Sequence, residues 1–155
     1  MTETGDLAVS VGMDAATKAP PPPDGFAEMN RKGEYWRMTG PYFERARENG
    51  VEQAFLAAGK HANALGLVHG GMLSAFLDGL LFQAVKRTIG ERSAITLHLS
   101  VDFLAAAKIG EWVIGESTVT RESPDIVFVE GRVHSAGRDV ARASGLFKPT
   151  RPAGS

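Results

Sequence analysis

One stretch of the chain, residues 72–85, constrains the fold more than any other. It is apolar on nearly every side of a helical projection, with Asp78 as the charged exception. A helix that is apolar all round is a buried helix. Lys86 and Arg87 suit the carboxyl end of such a helix, where the dipole favours cations, and Gly90 suits its stop. The sequence therefore predicts a long, buried helix that ends near Gly90.

Extended segments follow this helix. Over residues 95–103 apolar and polar residues alternate with the period of two that is typical of a strand. The predicted apolar face consists of Ile95, Leu97, Leu99, Val101 and Phe103, and the polar face of Thr96, His98, Ser100 and Asp102. Three further strands are predicted over about residues 111–121, 125–135 and 139–148. Together the four strands are expected to form a meander.

Two strands are predicted before the helix, over residues 42–47 and 52–58. They flank Asn49-Gly50, a dipeptide that favours a hairpin turn. Between Phe26 and Trp36 we expect one or two helical turns that cover the domain. Small residues on one face of the last two predicted strands leave room for a helix to lie close to the sheet. These residues are Gly131, Ala141, Ala143 and Gly145. These elements predict an α+β fold in which one antiparallel sheet wraps around one long helix.

Composition narrows the classes of function. A chain of 155 residues, 43% hydrophobic, suits one domain, which we place at residues 24–148, with disordered tails at 1–23 and 149–155. With 17 basic and 18 acidic residues it has no positive field for nucleic acid. Neither a secretory signal nor an apolar run long enough to span a bilayer is present, so we expect a cytoplasmic protein with no membrane partner. Cysteine is absent, which removes thiolate metal sites and a cysteine nucleophile.

Asp78 stands in the centre of the predicted helix. A lone carboxylate in apolar surroundings loses several kcal/mol of solvation unless it has partners. Two interpretations remain open on this residue alone: a structural carboxylate paired with an arginine or capping a turn, and a base or nucleophile that faces a cavity.

His69-Gly70-Gly71 lies directly before the helix, where free backbone N–H groups and the positive end of the dipole converge. This arrangement suits a carbonyl oxygen that becomes negative in a transition state, although a Gly-Gly pair is also an ordinary turn or cap. Gly70 and Asp78 are separated by eight residues, about 12 Å along a helix. If both act on one acyl carbon, they come from two subunits related by a twofold axis.

A combination of motifs carries a family resemblance. Asn63, five residues, His69-Gly70-Gly71, six residues and Asp78 are followed by the alternating strand and by residues 107–111, Ala-Lys-Ile-Gly-Glu. Over about residues 40–148 the chain resembles the PaaI-type (phenylacetate-degradation) acyl-CoA thioesterases of the hotdog superfamily. The resemblance implies a hotdog fold and hydrolysis of acyl-CoA to free acid and CoA. It implies no cofactor, since coenzyme A is part of the substrate.

The resemblance also implies roles. Asp78 corresponds to the catalytic carboxylate, which attacks the thioester or activates water, and Gly70 to the oxyanion donor. Asn63 and His69 are expected to shape the site. Thr96 matches a position where a hydroxyl assists the water, although an ordinary strand residue is an equal alternative.

Substrate contacts are less specific in the sequence. Gly71 lets a substrate approach the main chain, His98 is a candidate contact for the acyl group or a solvated side chain, and Arg138 and Arg142 are candidates for the CoA phosphates. Residues 105–107 are Ala-Ala-Ala where relatives often carry a proline before Ala-Lys, so this strand end is expected to be looser. We expect a homodimer or a homotetramer built as a dimer of dimers.

The functional alternatives are a noncatalytic acyl-CoA-binding hotdog protein and a hotdog hydratase or dehydratase. A buried charge at Asp78 disfavours the first. No Asp and His pair stands at the short spacing expected for the second.

Overall fold

The computed structural model describes residues 19–150. Most of the two tails predicted to be disordered, residues 1–23 and 149–155, lies outside this range. Within it, no helix has the combined length and apolar character that crossing a bilayer requires. The last strand includes Pro149, and Thr150 N–H donates to Ser93 O at 2.8 Å, so the ordered domain extends slightly past residue 148.

Seven strands, two α-helices and one short 3₁₀ turn make up the described chain. In chain order they are β1 (Ala27–Glu28), α1 (Glu34–Thr39), β2 (Phe43–Ala46), β3 (Val51–Leu56), the 3₁₀ turn (Gly59–His61), α2 (Gly70–Ile89), β4 (Ala94–Phe103), β5 (Trp112–Glu122), β6 (Val127–Ser135) and β7 (Arg138–Pro149). The hairpin predicted at Asn49-Gly50 joins β2 to β3, and Gly50 adopts φ 107, a value that favours glycine. The segment from Phe26 to Trp36, for which only helical turns were predicted, contains the short strand β1 as well as the start of α1.

The strands form one antiparallel sheet in the order β1-β2-β3-β5-β6-β7-β4. The predicted four-stranded meander is therefore wrong, because β4 pairs with β7 and lies at the edge of the sheet. Only β5, β6 and β7 form a meander. The eight residues between β4 and β5 carry the chain across the sheet, where Leu104 N–H donates to Val140 O and Gly110 N–H to Ala57 O.

Helix α2 is the predicted central helix, and the sheet wraps around it. It spans 20 residues, begins at Gly70 and ends at Ile89, and the N–H of the C-cap Gly90 donates to Lys86 O. Its buried positions are Met72, Leu73, Phe76, Leu77, Gly79, Leu80, Leu81, Ala84, Val85 and Ile89. The α+β architecture expected from the sequence is confirmed.

Three glycines on neighbouring strands allow the helix to lie close to the sheet. A Cβ at Gly115 would lie 2.6 Å from Leu80 Cδ2, and one at Gly131 would lie 2.8 Å from Leu81 Cδ2. At Gly145 the Cβ would lie 3.0 Å from Leu81 Cδ1. The expected role of small residues on this face is confirmed, because leucines of α2 occupy the space that side chains would fill.

Candidate active site

Asp78 lies in the middle of α2 on the side that faces β4. Its side chain is half-buried, in contrast to the fully buried Leu77 and Leu80 beside it. Thr96 Oγ1 on β4 donates a hydrogen bond to Asp78 Oδ1 at 2.9 Å. Among residues 19–150, neither an arginine nor a lysine pairs with this carboxylate. The structure thus places together two residues that the sequence predicted for the site.

A β-bulge explains how Thr96 reaches the helix. The pairing of β4 with β7 shifts between Thr96 and His98, so one residue is inserted at Leu97. Beyond the bulge Leu99 and Val101 pack against the core. The predicted division of β4 into two faces is therefore wrong at its start, because Thr96 shares the helix-facing side with residues of the apolar face.

The start of α2 is organised by His69. This residue is the N-cap, and its Nδ1 accepts a hydrogen bond from Gly71 N–H at 2.8 Å. Gly71 N–H is therefore already paired. Gly70 N–H, in contrast, donates no hydrogen bond to any residue of the described range. It stands at the positive end of a 20-residue helix, as a donor available to an oxyanion.

The ring of Phe103 lies next to Gly70. A Cβ at Gly70 would lie 3.3 Å from Phe103 Cζ, so glycine at this position lets the ring lie close to the backbone. Phe103 is 55% exposed, which places an aromatic surface beside the free N–H group. Of the other phenylalanines, Phe76 is a core residue and Phe82 is half-buried against Phe147.

Asn63 and His61 hold the loop that leads to His69. Asn63 Oδ1 accepts hydrogen bonds from Leu65 N–H at 2.9 Å and from Leu67 N–H at 3.1 Å. The His61 carbonyl accepts from His69 N–H at 2.8 Å, and Val68 N–H donates to Ala107 O at 2.9 Å. The Asn63 carboxamide therefore shapes the loop, and Ala107 and Lys108 pair with its end.

His61 is a buried residue that the sequence pattern did not single out. Its Nδ1 accepts from Ala58 N–H at 3.0 Å, so the neutral ring donates from Nε2 to Thr39 O at 2.8 Å. Burial lowers the pKa of His61, the hydrogen bond to Thr39 raises it, and the neighbouring Lys60 lowers it. The ring is held neutral and joins the loop before α2 to the end of α1.

The remaining predicted substrate residues lie elsewhere. His98 is exposed on β4 and follows the bulge that separates it from Thr96. Arg138 pairs with Glu111 at 2.9 Å, and Arg142 pairs with Asp102 at 2.8 Å. A CoA phosphate would have to compete with a carboxylate at either arginine. The structure does not bring these three residues to Asp78.

The predicted residues thus form two groups within one chain. Asp78 and Thr96 form one group, and Asn63, His69 and Gly70 form the other. Gly70 and Asp78 both belong to α2, eight residues apart, which corresponds to about 12 Å. A single acyl carbon cannot contact both groups within one subunit.

Comparison with known proteins identifies the class. A family model described as the Thioesterase superfamily matches residues 65–142. A Pseudomonas aeruginosa protein described as a candidate esterase is 32% identical over 129 residues, which cover 81% of this chain and 95% of that protein. The chain belongs to the thioesterase superfamily, and this membership supports a role as a thioester hydrolase.

Solved structures agree with the fold. A candidate thioesterase from Ralstonia eutropha JMP134, described as phenylacetic acid degradation-related, matches with a TM-score of 0.69 and 27% identity, over 76% of this chain and 92% of that chain. A Bacillus halodurans protein solved with CoA matches with a TM-score of 0.61 and 26% identity, over 64% of this chain and 66% of that chain. The predicted hotdog fold and family resemblance are confirmed.

Proposed function

We propose that this protein hydrolyses acyl-CoA thioesters to a free acid and CoA. The observation that carries the proposal is the Asp78 carboxylate, which lies half-buried on the open side of α2 and is oriented by Thr96 at 2.9 Å. A base or nucleophile must be fixed by a partner and still be accessible to the substrate. Asp78 meets both requirements in a chain of the thioesterase superfamily.

Two routes follow from a carboxylate at this position. In one, Asp78 accepts a proton from water as the water attacks the thioester carbon, and the CoA thiolate leaves. In the other, Asp78 Oδ attacks the carbon itself, the C–S bond breaks and the CoA thiolate leaves, and water then hydrolyses the resulting anhydride to the free acid and the Asp78 carboxylate. In both routes the Gly70 N–H donates to the carbonyl oxygen as it becomes negative, and Thr96 holds the carboxylate or the water.

The site is shared between two subunits in this proposal. Gly70 and Asp78 are too far apart in one chain, and antiparallel packing of two α2 helices about a twofold axis would bring the Gly70 of each to the Asp78 of the other. The edge strand β4 supports this arrangement because it borders Asp78 and exposes large apolar side chains. These are Ile95 (57% exposed), Leu97 (53%), Phe103 (55%) and, just beyond the strand, Leu104 (53%).

Coenzyme A is the proposed carrier of the acyl group. The Bacillus halodurans relative, at 26% identity, was solved with CoA, which supports a CoA ester as the substrate of this chain. Asn63 and His69 would border the thioester through the loop that leads to Gly70. Candidates for the CoA phosphates are Arg138 and Arg142, each of which would exchange its carboxylate partner for a phosphate. His98 is a candidate contact for the acyl group.

A thiol-release assay over short, long and aryl acyl-CoAs tests the proposal. Asp78→Asn keeps the size of the side chain and removes the base, so kcat/KM should fall by roughly 10²-fold or more. Asp125→Asn is the matched control, because Asp125 is exposed in the turn between β5 and β6. It should retain the wild-type rate.

The opposite results identify the rival function. Equal rates for Asp78→Asn and the wild type remove Asp78 from the mechanism. Tight binding of acyl-CoA with no thiol release from any ester would make the protein a noncatalytic acyl-CoA-binding hotdog protein.

A further inference from the structure

Arg31 occupies an unusual position against the central helix. It lies between β1 and α1, and its guanidinium Cζ stands 4.2 Å from the ring centroid of Trp36 and 5.3 Å from that of Tyr42. Its Nη1 lies 2.9 Å from the place a Cβ would take at Gly79. Gly79 directly follows Asp78, so a half-buried cation rests on the helix backbone next to the proposed catalytic carboxylate.

The guanidinium is desolvated without a carboxylate to balance its charge. Within residues 19–150 no acidic side chain lies at ion-pair distance from Arg31. Glu44 is near enough to act on Arg31 electrostatically, but it pairs with Arg87. Burial lowers the pKa of Arg31, and the nearby Tyr42 and Glu44 raise it. Removing a cation from water in this way is unfavourable unless a partner completes it.

Two buried nitrogen donors, one on Arg31 itself and one on its neighbour Gln53, lack acceptors. Arg31 Nη2 donates to Gln53 Oε1 at 2.5 Å, and Gln53 on β3 is fully buried. Arg31 Nε and Gln53 Nε2 are buried and have no hydrogen-bond partner in the described chain. The cluster therefore holds more hydrogen-bond donors than acceptors.

A cleft lies between this cluster and the second half of α2, and Glu28, Lys32 and Glu44 also border it. Arg31 and Trp36 line a cleft of about 390 Å³ together with Phe82 and Gln83 of α2. Phe82 lies four residues after Asp78 and hence on the same side of the helix, one turn away. A group that extends from the thioester along this side of α2 would reach Arg31.

We propose that Arg31 is a specificity-determining residue, which binds a carboxylate at the far end of the acyl group, so that the preferred substrates are CoA thioesters of short dicarboxylic acids. This inference rests on the proposed function. The distal carboxylate would accept from the free Nη1 donor and form the ion pair that Arg31 does not make within residues 19–150. A methyl-ended acyl chain of the same length would leave Arg31 without that partner.

The test compares adipoyl-CoA with hexanoyl-CoA, which have equal carbon number and differ in the distal carboxylate. The wild type should favour adipoyl-CoA by about 10-fold or more in kcat/KM, as expected for one charge-assisted hydrogen bond. In Arg31→Met the ratio should fall to near one, mainly through KM. Arg121→Met, which removes an exposed arginine of β5, should keep the wild-type ratio.

The alternative is that Arg31 only holds the segment of α1 against the helix. Equal loss of both activities in Arg31→Met, with a lower melting temperature and an unchanged ratio, would establish that structural role and overturn the inference. A wild type that hydrolyses hexanoyl-CoA as well as adipoyl-CoA would also overturn it, while leaving the proposed thioesterase function intact.

Binding separates failure of the inference from failure of the proposed function. If no ester is hydrolysed, the proposed function fails. Calorimetric titration of Asp78→Asn with the same two esters then still tests Arg31. Tighter binding of adipoyl-CoA that disappears in Asp78→Asn/Arg31→Met supports the carboxylate site, and equal affinities overturn it.

Discussion

The two edges of the sheet are finished in different ways. At the edge formed by β1, β2 and β3, the chain's own segment of α1 covers the helix, and Tyr42 contacts Trp36, Phe55 and Phe76 at ring-centroid distances of 5.3, 6.0 and 6.1 Å. At the other edge, β4 exposes large apolar side chains and leaves Asp78 half-buried. We refer to these as the closed edge and the open edge.

The two edges differ in how far side chains of a single chain cover α2. At the closed edge aromatic side chains pack over α2 beside the cleft at Arg31. At the open edge the same helix presents a carboxylate with a single hydrogen-bond partner among residues 19–150. Exposed apolar surface beside a functional group is typical of an interaction site. The open edge is therefore where a second subunit and the thioester group of the substrate are expected.

The largest effect on stability is expected at the closed edge. Phe55 is fully buried and packs edge-on against Tyr42, Phe76 and His61. Phe55→Ala leaves a cavity among these rings, and the free energy of unfolding should fall by about 3–5 kcal/mol. Urea denaturation of the variant and the wild type measures this difference.

Phe103→Ala is the matched change at the open edge. Because the Phe103 ring is 55% exposed in the subunit, any large loss of stability should come from a weaker dimer and should therefore depend on protein concentration. A loss as large as that of Phe55→Ala at every concentration would contradict the division into closed and open edges.

A smaller effect, on activity and assembly, is expected from a charge at the open edge. Leu104→Lys places an ammonium group on a side chain that is 53% exposed in the subunit, so folding should be retained. At a dimer interface the same charge is desolvated without a partner, which opposes association. We expect a monomer by native mass spectrometry and a fall in thiol release on the order of 10²-fold.

Met38→Lys is the control for this charge. Met38 belongs to α1 at the closed edge and is 66% exposed. It should leave both mass and activity at wild-type values. A fully active monomer of Leu104→Lys would remove the need for a shared site.

The sequence predicted the central helix correctly but not which strand lies at the open edge. Helix α2 was predictable because residues 72–85 are apolar all round and Gly90 ends them. The edge position of β4 was not, since four successive strands read most simply as a meander. The length of one connection indicated this position. Eight residues separate β4 from β5, which is longer than a tight hairpin needs, whereas the hairpin between β6 and β7 turns on Ala136 and Gly137 alone.

The site was predicted from motifs rather than from geometry. The spacing of Asn63, His69 and Asp78 selected these residues, and the distance between Gly70 and Asp78 along α2 led to the proposal of a second subunit. The bulge at Leu97 was hidden, because residues 95–103 alternate without a break and only the pairing with β7 reveals the shift. Arg31 was also missed, since two of its neighbours, Gln53 and Gly79, are distant from it in the sequence.

The smallest effect concerns pH and the link between the closed edge and the catalytic loop. Burial lowers the pKa of His61 in the folded protein, while in the unfolded chain it takes the ordinary value of about 6.5. The unfolded chain therefore binds the proton more readily, and the stability contributed by neutral His61 is present above pH 6.5 and lost as pH falls toward the lowered folded value. One such group changes the free energy of unfolding by at most about 1.4 kcal/mol per pH unit.

His61→Gln tests this contribution, because glutamine retains an amide donor and acceptor but does not titrate. Urea denaturation between pH 7.5 and pH 5 should show a shallower loss of stability in the variant than in the wild type. His134→Gln, a half-buried histidine on β6 away from the loop, serves as the control and should keep the wild-type slope. If His61→Gln also keeps that slope, then protonation of His61 does not govern the acid sensitivity of the closed edge. The ring would then contribute to the loop before α2 through its hydrogen bonds to Ala58 and Thr39 alone.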